Sequence, residues 1–492
     1  MNCLSKFKQF NIYDQFKELK SLAKSKPTGF ITLLKSNFDI KTFIPASFTQ
    51  KYWSNLGKNR EYQLHSVLSA LLIMHIFNIP TTTLLCLFLT FSEEMREFCC
   101  FDGSIPDDSF FSRFKTDFEK EILELFNSMS LHTIELCVAI NEMLPDDHPE
   151  KNLNQNLIYD TSGLKPRVKE NNPKFITTEI RRHKTYAKSQ GFKNYNPYAA
   201  AYTNLPKHAE CNSAIRLDYV NGHYGYFYKF GMLTNGWGIP LHIHFFDKDF
   251  YDEHCKEFDT PEDQKYTYDN ASLKPVLSPF IQLLDTYSDF KFKNFLGDSE
   301  FDSYDNFGFL KSFNFEKVFI PLNSRNSKNN IVNGLEYDAQ GIPLCPLTKK
   351  PFKAEGSCKG KNRSMRFKFV CPLSAFDENN KRYHTCNNPC TPSKSGRMTY
   401  VYPDKDFRLY PGVQRNSTEW NTVYPTRNSI EREFSCLKSN TCIATPLTTN
   451  TRTMRVDLYL AAIAKLVNVI LAYSLNNVNY IRTIRPLFKL VA

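Results

Sequence analysis

The sequence predicts a mixed α/β protein: an N-terminal all-helical domain, then a mixed five-stranded sheet flanked by helices, with a Cys-rich insertion. Three observations predict it. Apolar residues recur at helical spacing over 64–77 and 110–143. From about residue 150 the pattern changes to short apolar runs bounded by turn residues, with one amphipathic stretch among them. Between 326 and 405 the periodicity fades, and Lys, Asn, Cys, Pro and Gly accumulate.

A chain of 492 residues has room for two to four domains. Four blocks divide it: 1–148, 149–325, 326–405 and 406–492. In the first, the turn Asp102-Gly103-Ser104-Ile105-Pro106 separates helical segments, and Asp107, Asp108 or Ser109 is placed to cap the next one. In the second, 156–160 reads as a strand ending in an acid. Segments 226–233 and 239–246 read as a hairpin across Thr234-Asn235-Gly236-Trp237-Gly238. Residues 271–287 read as a helix whose start Pro275 and Pro279 delay. Residues 292–298 form another acid-terminated strand, and 317–322 a further one. The fourth block carries a helix over about 426–438 and a long apolar helix over about 454–475.

Composition narrows the class. Hydrophobic residues make up 41% and charged residues 23%, values of a soluble globular chain. No stretch reads as a membrane span: 67–79 is short and ends at Pro80, and 458–475 contains Lys465 and Asn468. The first 25 residues carry Lys6, Lys8, Lys17 and Lys20 without a long apolar core, so a secretory leader is not expected and the expected location is cytoplasmic. The net charge of +11 suits a polyanionic partner. Nine Lys/Arg against two acids fall in 163–193, Lys184 among them, and eight against one in 349–368. Such stretches suit phosphate contacts. Fourteen cysteines in a cytoplasmic chain argue against a disulfide framework.

Two runs deliver an aspartate to the end of an apolar strand: Leu157-Ile158-Tyr159-Asp160 and Phe295-Leu296-Gly297-Asp298. Two such carboxylates on neighbouring strands repel unless a cation sits between them. Asp302 and Asp305 are alternatives to Asp298, although their place after the strand suits turn or cap roles. The run from Tyr424 to Lys438 adds a third acid. On an ideal helix with Arg427 at 0°, Glu431 lies at roughly 40°, Lys438 at roughly 20° and Tyr424 at roughly 60°. Glu433 falls at roughly 240°, pointing away. A phenol, a guanidinium, a carboxylate and an ammonium on one face make poor core and a good surface for metal and phosphate.

Tyr424, Arg427, Glu431 and Lys438 match the Tyr-x2-Arg-x3-Glu-x6-Lys signature, and the chain resembles insertion-sequence DDE transposases of the family-four superfamily. Tyr159-Asp160-Thr161-Ser162-Gly163 is similar to the first-Asp strand of that family, and Gly297-Asp298-Ser299-Glu300-Phe301-Asp302-Ser303 to its second-Asp motif. The run from Ile105 to Phe114 resembles the helical domain ahead of such cores. The resemblance implies an RNase H-like catalytic core, with Asp160, Asp298 and Glu431 as catalytic residues holding two Mg²⁺ (or Mn²⁺) ions. It implies Tyr424, Arg427 and Lys438 as contacts to DNA backbone, and metal-dependent cleavage at terminal inverted repeats followed by strand transfer into target DNA. The partners it implies are double-stranded DNA and further copies of the chain in a synaptic dimer or larger multimer, with no membrane. The interval from Asp298 to Glu431 is long, so the insertion must loop out and let the helix return. A metal-dependent nuclease without strand transfer, or a DNA-binding derivative without catalysis, are the competing readings.

Three further expectations complete the set. Cys345, Cys371, Cys386 and Cys390, with Cys358 and His384 in reserve, have loose spacing for a structural Zn²⁺, weighed against buried or free thiols. In the N-terminal block, Phe110, Phe111 and Phe114 read as core, while Arg113 and Lys115 are placed to face phosphate. Trp237 and Trp420 read first as core aromatics and second as stacking platforms for an extruded base.

Overall fold

The computed structural model describes residues 29–54, 60–220, 223–254, 261–332, 334–358, 364–444 and 446–483. The first 25 residues, considered above for a leader, lie outside the described residues. Its contacts divide the chain into two compact units. One comprises Met1–Met143, Leu164–Arg167 and Phe434–Ala492, and the other Leu144–Gly163 and Val168–Glu433.

The first unit is helical. Its described helices include Leu64–Ile76, Thr82–Phe91, Glu93–Phe98, Asp108–Asp117, Glu119–Met143 and Thr451–Ser474. Side-chain caps set their starts: Thr81 accepts from Leu84 N at 3.1 Å, Ser92 from Met95 N at 3.3 Å and Asp107 from Phe110 N at 2.5 Å. Thr451–Ser474 packs along Glu119–Met143 and Leu64–Ile76. By length and composition it is apolar enough to cross a membrane, yet its apolar window is 89% buried, as in the core helix of a folded domain. Phe111 and Phe114 are buried as expected. Lys115 is not available to phosphate: it is 3% exposed and ion-pairs with Asp457 at 2.5 Å, with His75 3.7 Å from the same carboxylate. A Lys on the buried face of an amphipathic helix needs such an acid, and Asp457 supplies it from the long C-terminal helix.

The second unit is built on a seven-stranded sheet. Its strands are β1 (Asn156–Leu164), β2 (His208–Ala209), β3 (Asn212–Val220), β4 (His223–Asn235), β5 (Pro240–Phe246), β6 (Asn294–Leu296) and β7 (Lys317–Phe319). The order is β2-β3-β4-β1-β6-β7, with β5 also paired to β4. β1, β6 and β7 run parallel, whereas β3, β4 and β5 form antiparallel pairs. The mixed α/β class therefore stands, with β2 and β3 added to the five strands read from the sequence. Leu157, Ile158, Phe230, Met232, Phe295, Leu296, Val318 and Phe319 are each no more than 1% exposed and fill its core. Each such burial contributes about 1.5–3 kcal/mol relative to exposure.

Pro275 and Pro279 do not delay the long helix, which spans Pro261–Tyr287 with both inside it. Leu273, Val276, Leu277, Phe280 and Leu284 are buried and hold it in place. The prolines lie on its outer side, Pro275 half-buried and Pro279 exposed, where water can satisfy the freed carbonyls. Most of the basic stretch 163–193 forms the helix Pro173–Gln190, and the helix Pro197–Thr203 follows it.

The insertion is folded β structure. β8 (Ile331–Val332) pairs with β9 (Leu335–Glu336). β10 (Lys353–Cys358), β11 (Arg366–Val370) and, further on, β14 (Met398–Val401) form a three-stranded antiparallel sheet, while β12 (Ser374–Phe376) pairs with β13 (Arg382–His384). Leu335, Tyr337, Phe352, Phe367, Phe369 and Val401 share one core cluster with Leu322, Leu409 and Tyr410 from the flanking chain. These strands are too short for periodicity to reveal.

The chain returns from the insertion along a set of buried contacts. Val318 N donates to Pro411 O at 2.9 Å, and Arg415 donates to Ile320 O at 3.0 and 2.8 Å. Arg408 grips Asp302 through Nε and Nη2, both at 2.7 Å, and donates through Nη1 to Asn330 Oδ1 at 2.8 Å. Asp302, weighed above as an alternative acid, is thus the anchor that lets the Glu431 helix come back to the sheet unit.

Candidate active site

Register brings the two aspartates together. In the parallel pair β1–β6, Leu157 lies opposite Phe295 and Ile158 opposite Leu296. Asp160 and Asp298 each stand two residues beyond the last paired rung. Neighbouring parallel strands lie about 4.8 Å apart, so equal offsets bring the two backbones close, and both carboxylates meet the same Arg427 nitrogen. Both strand readings change here: the one over 156–160 lengthens, because β1 runs on to Leu164 and holds Asp160 within it, and the one over 292–298 shortens. β6 ends at Leu296, and Asp298 caps the turn Ser299–Phe301, accepting from Ser299 N at 2.5 Å and Ser299 Oγ at 3.2 Å. Asp305 is exposed in the first turn of Tyr304–Ser312.

Glu431 arrives on the helix Asn428–Asn440, preceded by a 3₁₀ turn Tyr424–Arg427 and the helix Thr418–Val423. The ideal-helix angles for Tyr424 therefore do not hold, because it ends one helix and begins a tighter turn. The Arg427–Glu431 spacing does hold. Gly238, at φ +83°, packs the β4–β5 turn against the start of this helix, and a Cβ there would stand 2.9 Å from Ser429 O. Glu433 is 6% exposed, whereas the Glu431 side chain is 53% exposed.

Arg427 is the centre of the site. Its Nη1 is 3.1 Å from Asp160 Oδ2 and 4.0 Å from Asp298 Oδ2, and its Nη2 is 2.6 Å from Glu431 Oε1. It also hydrogen-bonds the Tyr424 phenol. A guanidinium thus stands among the three acids. Burial pushes the Asp160 carboxyl up to about 7, against the opposing pull of Arg427 and the Thr161 amide, with Asp298 and Asp269 adding to the rise. Burial also pushes Tyr424 up to about 12. Arg427 is held more firmly charged than usual, because Asp160, Tyr424, Asp298 and Glu431 outweigh its own burial.

One guanidinium among three carboxylates leaves a net deficit of positive charge. The donors are all carboxylate oxygens, a set that fits a hard cation such as Mg²⁺ better than a thiophilic metal. As the side chains stand, no group of three or more His, Cys, Asp or Glu among the described residues is arranged to hold a metal ion.

A buried layer lies behind Asp160 that the sequence reading did not pick out. Thr161 Oγ1 donates to Asp269 Oδ1 at 2.6 Å, and Lys229 bridges Asp269 at 2.7 Å and Asp218 at 3.2 Å. Lys229 is 1% exposed and held firmly protonated, since the two acids outweigh its burial. Its signal was present as a Lys inside the apolar run Tyr228-Lys229-Phe230 of a predicted strand.

The remaining expected residues fall elsewhere. Lys438 lies in the last turn of the Glu431 helix, within the helical unit, and burial lowers it to about 8. Arg113 is exposed and donates to Ser109 Oγ at 3.0 Å. Lys184 is exposed on Pro173–Gln190. Trp237 is 1% and Trp420 7% exposed, the latter packed between Phe319 and Tyr424, so both are core aromatics. Cys345 shares a hydrogen bond with Cys390, Cys371 lies beside Gly396 and His384, and the Cys386 thiol donates to Asn388 O at 3.1 Å. These four do not form a set arranged for metal.

Residues 18–117 match a family model described as Transposase domain (DUF772). The match supports a transposase family. A transposase acts on DNA, which accords with the basic charge of the chain. No curated protein matches the sequence.

Proposed function

We propose that the chain is a DDE-type transposase of an insertion sequence, which cuts DNA at terminal inverted repeats and joins the freed ends to target DNA. The observation that carries the proposal is the meeting of Asp160, Asp298 and Glu431 around Arg427, from three segments far apart in sequence. The sheet supports it further. Taken in chain order, β1, β4, β5, β6 and β7 stand spatially as third, second, first, fourth and fifth across the sheet, with the first acid on β1 and the second just after β6. The first acid on the first of these five strands, the second after the fourth and the Glu on a later helix is the placement the resemblance implies for an RNase H-like core.

Asp160, Asp298 and Glu431 would hold two Mg²⁺ (or Mn²⁺) ions, whose chemistry is to acidify water and stabilise a departing oxygen. A water attacks the phosphodiester at the element's end, the P–O3′ bond breaks, and the 3′-oxygen leaves as a hydroxyl. That hydroxyl then attacks a target phosphodiester, forming a new P–O3′ bond and releasing a target 3′-hydroxyl, with no change of oxidation state. Arg427, released from the carboxylates, contacts a backbone phosphate through two N–H groups, and Tyr424 orients it. The Lys229–Asp269–Thr161 layer fixes the strand that presents Asp160. Multimeric synapsis and a nucleoid location belong to the same reading.

The test is strand cleavage and transfer on DNA carrying the element's own terminal repeats, with Mg²⁺. Asp160→Ala, Asp298→Ala and Glu431→Ala should each lower cleavage by at least a hundredfold while duplex binding persists. Wild-type cleavage by Glu431→Ala would refute the assignment, and cutting without joining would identify a nuclease instead.

A further inference from the structure

The helix Pro173–Gln190 leaves the catalytic sheet directly after the strand bearing Asp160 and has no buried residue. It is nevertheless well terminated. Asn172 caps its start, accepting from Lys174 N at 3.0 Å, Pro173 occupies its first turn, and Gly191 ends it at φ +67°. An aromatic knot of His183, Tyr186, Phe192 and Tyr195 folds the following turn back onto one side. The root is clamped to the sheet. Asn171 exchanges two hydrogen bonds with the Tyr226 backbone of β4, at 2.8 and 2.9 Å, and Glu170 accepts from Glu210 N at 3.0 Å.

The other side of this helix is cationic. With Pro173 at 0°, Lys184, Lys188, Arg181 and Lys174 fall at roughly 20°, 60°, 80° and 100°. All four are exposed, and Lys184 at the edge of the stripe also donates to the Tyr198 phenol at 3.0 Å. The helix has a single acid, Glu179, and it pairs with Arg182 at 2.6 Å, off this stripe. A face that serves only solubility interleaves both signs. Here one sign runs from Lys174 to Lys188, about 21 Å along the axis, the rise of about six base pairs of duplex.

We propose that this arm is a second DNA-contacting surface, which lays the stripe of Lys174, Arg181, Lys184 and Lys188 along the phosphate backbone of duplex DNA without reading its sequence. The inference rests on the reading of the chain as a DNA-acting enzyme, and gives that enzyme a grip separate from the carboxylate site. The root clamps hold the grip in fixed relation to the strand of Asp160, so DNA on the arm is delivered to the reacting end with little freedom.

The experiment compares the full chain with its fourfold variant K174Q/R181Q/K184Q/K188Q, binding a 30-base-pair duplex of arbitrary sequence between 50 and 200 mM salt. Each lost phosphate contact removes about 0.9 from the slope of log affinity against log salt. The fourfold variant should therefore lose about 3–4 from that slope, and its affinity deficit should shrink about a hundredfold across the range. K174R/K184R/K188R should keep the wild-type slope. If the fourfold variant melts below its parent, the single variants carry the test, each expected to lower the slope by about one. An unchanged slope in a folded variant would overturn the proposal. So would a changed oligomeric mass at constant slope, which would make a second copy of the chain the occupant. A lowered slope in a protein that never cuts terminal-repeat DNA would keep the arm and defeat the transposase reading. Cutting with an unaltered slope would do the reverse.

Discussion

Asp298 and Asp302 are four residues apart and belong to two unlike charge clusters. Asp302 meets Arg408 in a closed pair, both side chains 0% exposed, with two contacts at 2.7 Å and further hydrogen bonds to Asn323 N and Asn330. Asp298 is 39% exposed and shares Arg427 with Asp160 and Glu431. The first cluster closes a fully buried acid on its cation, with Arg415 and Asp406 adding one further charge of each sign nearby. The second has one cation for three acids and opens to solvent. Charge balance and access, rather than the presence of an acid near a strand end, separate a structural staple from a site that can take up more positive charge.

The largest effect should come from breaking the closed pair. Asp302→Ala leaves Arg408 buried and uncompensated, and should lower unfolding free energy by about 3–5 kcal/mol, as read from urea denaturation. An effect below about 1 kcal/mol would mean that the staple is not a staple. A smaller, pH-dependent effect of opposite sign is expected at the open cluster. The folded-state pKa of Asp160 is raised to about 7, so the folded chain binds more protons than the unfolded chain between about pH 4 and 7. Stability then falls as pH rises through that window. Without divalent metal, Asp160→Asn should stabilise the protein by a few kcal/mol at pH 7.5 and by little at pH 4. A constant difference across that range would contradict the raised value.

The contrast also shows what the sequence made legible. Asp160 and Asp298 were visible because short apolar runs lead into them, although β1 continues to Leu164 and β6 stops at Leu296, and Glu431 because the Arg427–Glu431 spacing survives the 3₁₀ turn before it. The role of Asp302 was not visible, since its partner lies beyond an insertion and no local pattern couples residues 302 and 408. Lys115 was misread for the same reason: its acid, Asp457, comes from the far end of the chain. The helix Pro173–Gln190 escaped notice because helical periodicity reports a buried stripe, and this helix buries none. Pro275 and Pro279 misled because local propensity was weighed without the tertiary packing that overrides it. The insertion's strands, six residues or fewer, offer too little alternation to count.

Titration of Mn²⁺ into the full chain, compared with Glu431→Gln and Asp160→Asn, tests the central claim most directly. The claim is that these carboxylates, held around Arg427, form a divalent-metal site. The account predicts Mn²⁺ binding by the wild type and a loss of at least tenfold in affinity for each variant. Glu431→Gln should do this while changing stability by no more than about 0.5 kcal/mol, since it removes an exposed pair. Equal Mn²⁺ affinity in all three proteins would contradict it.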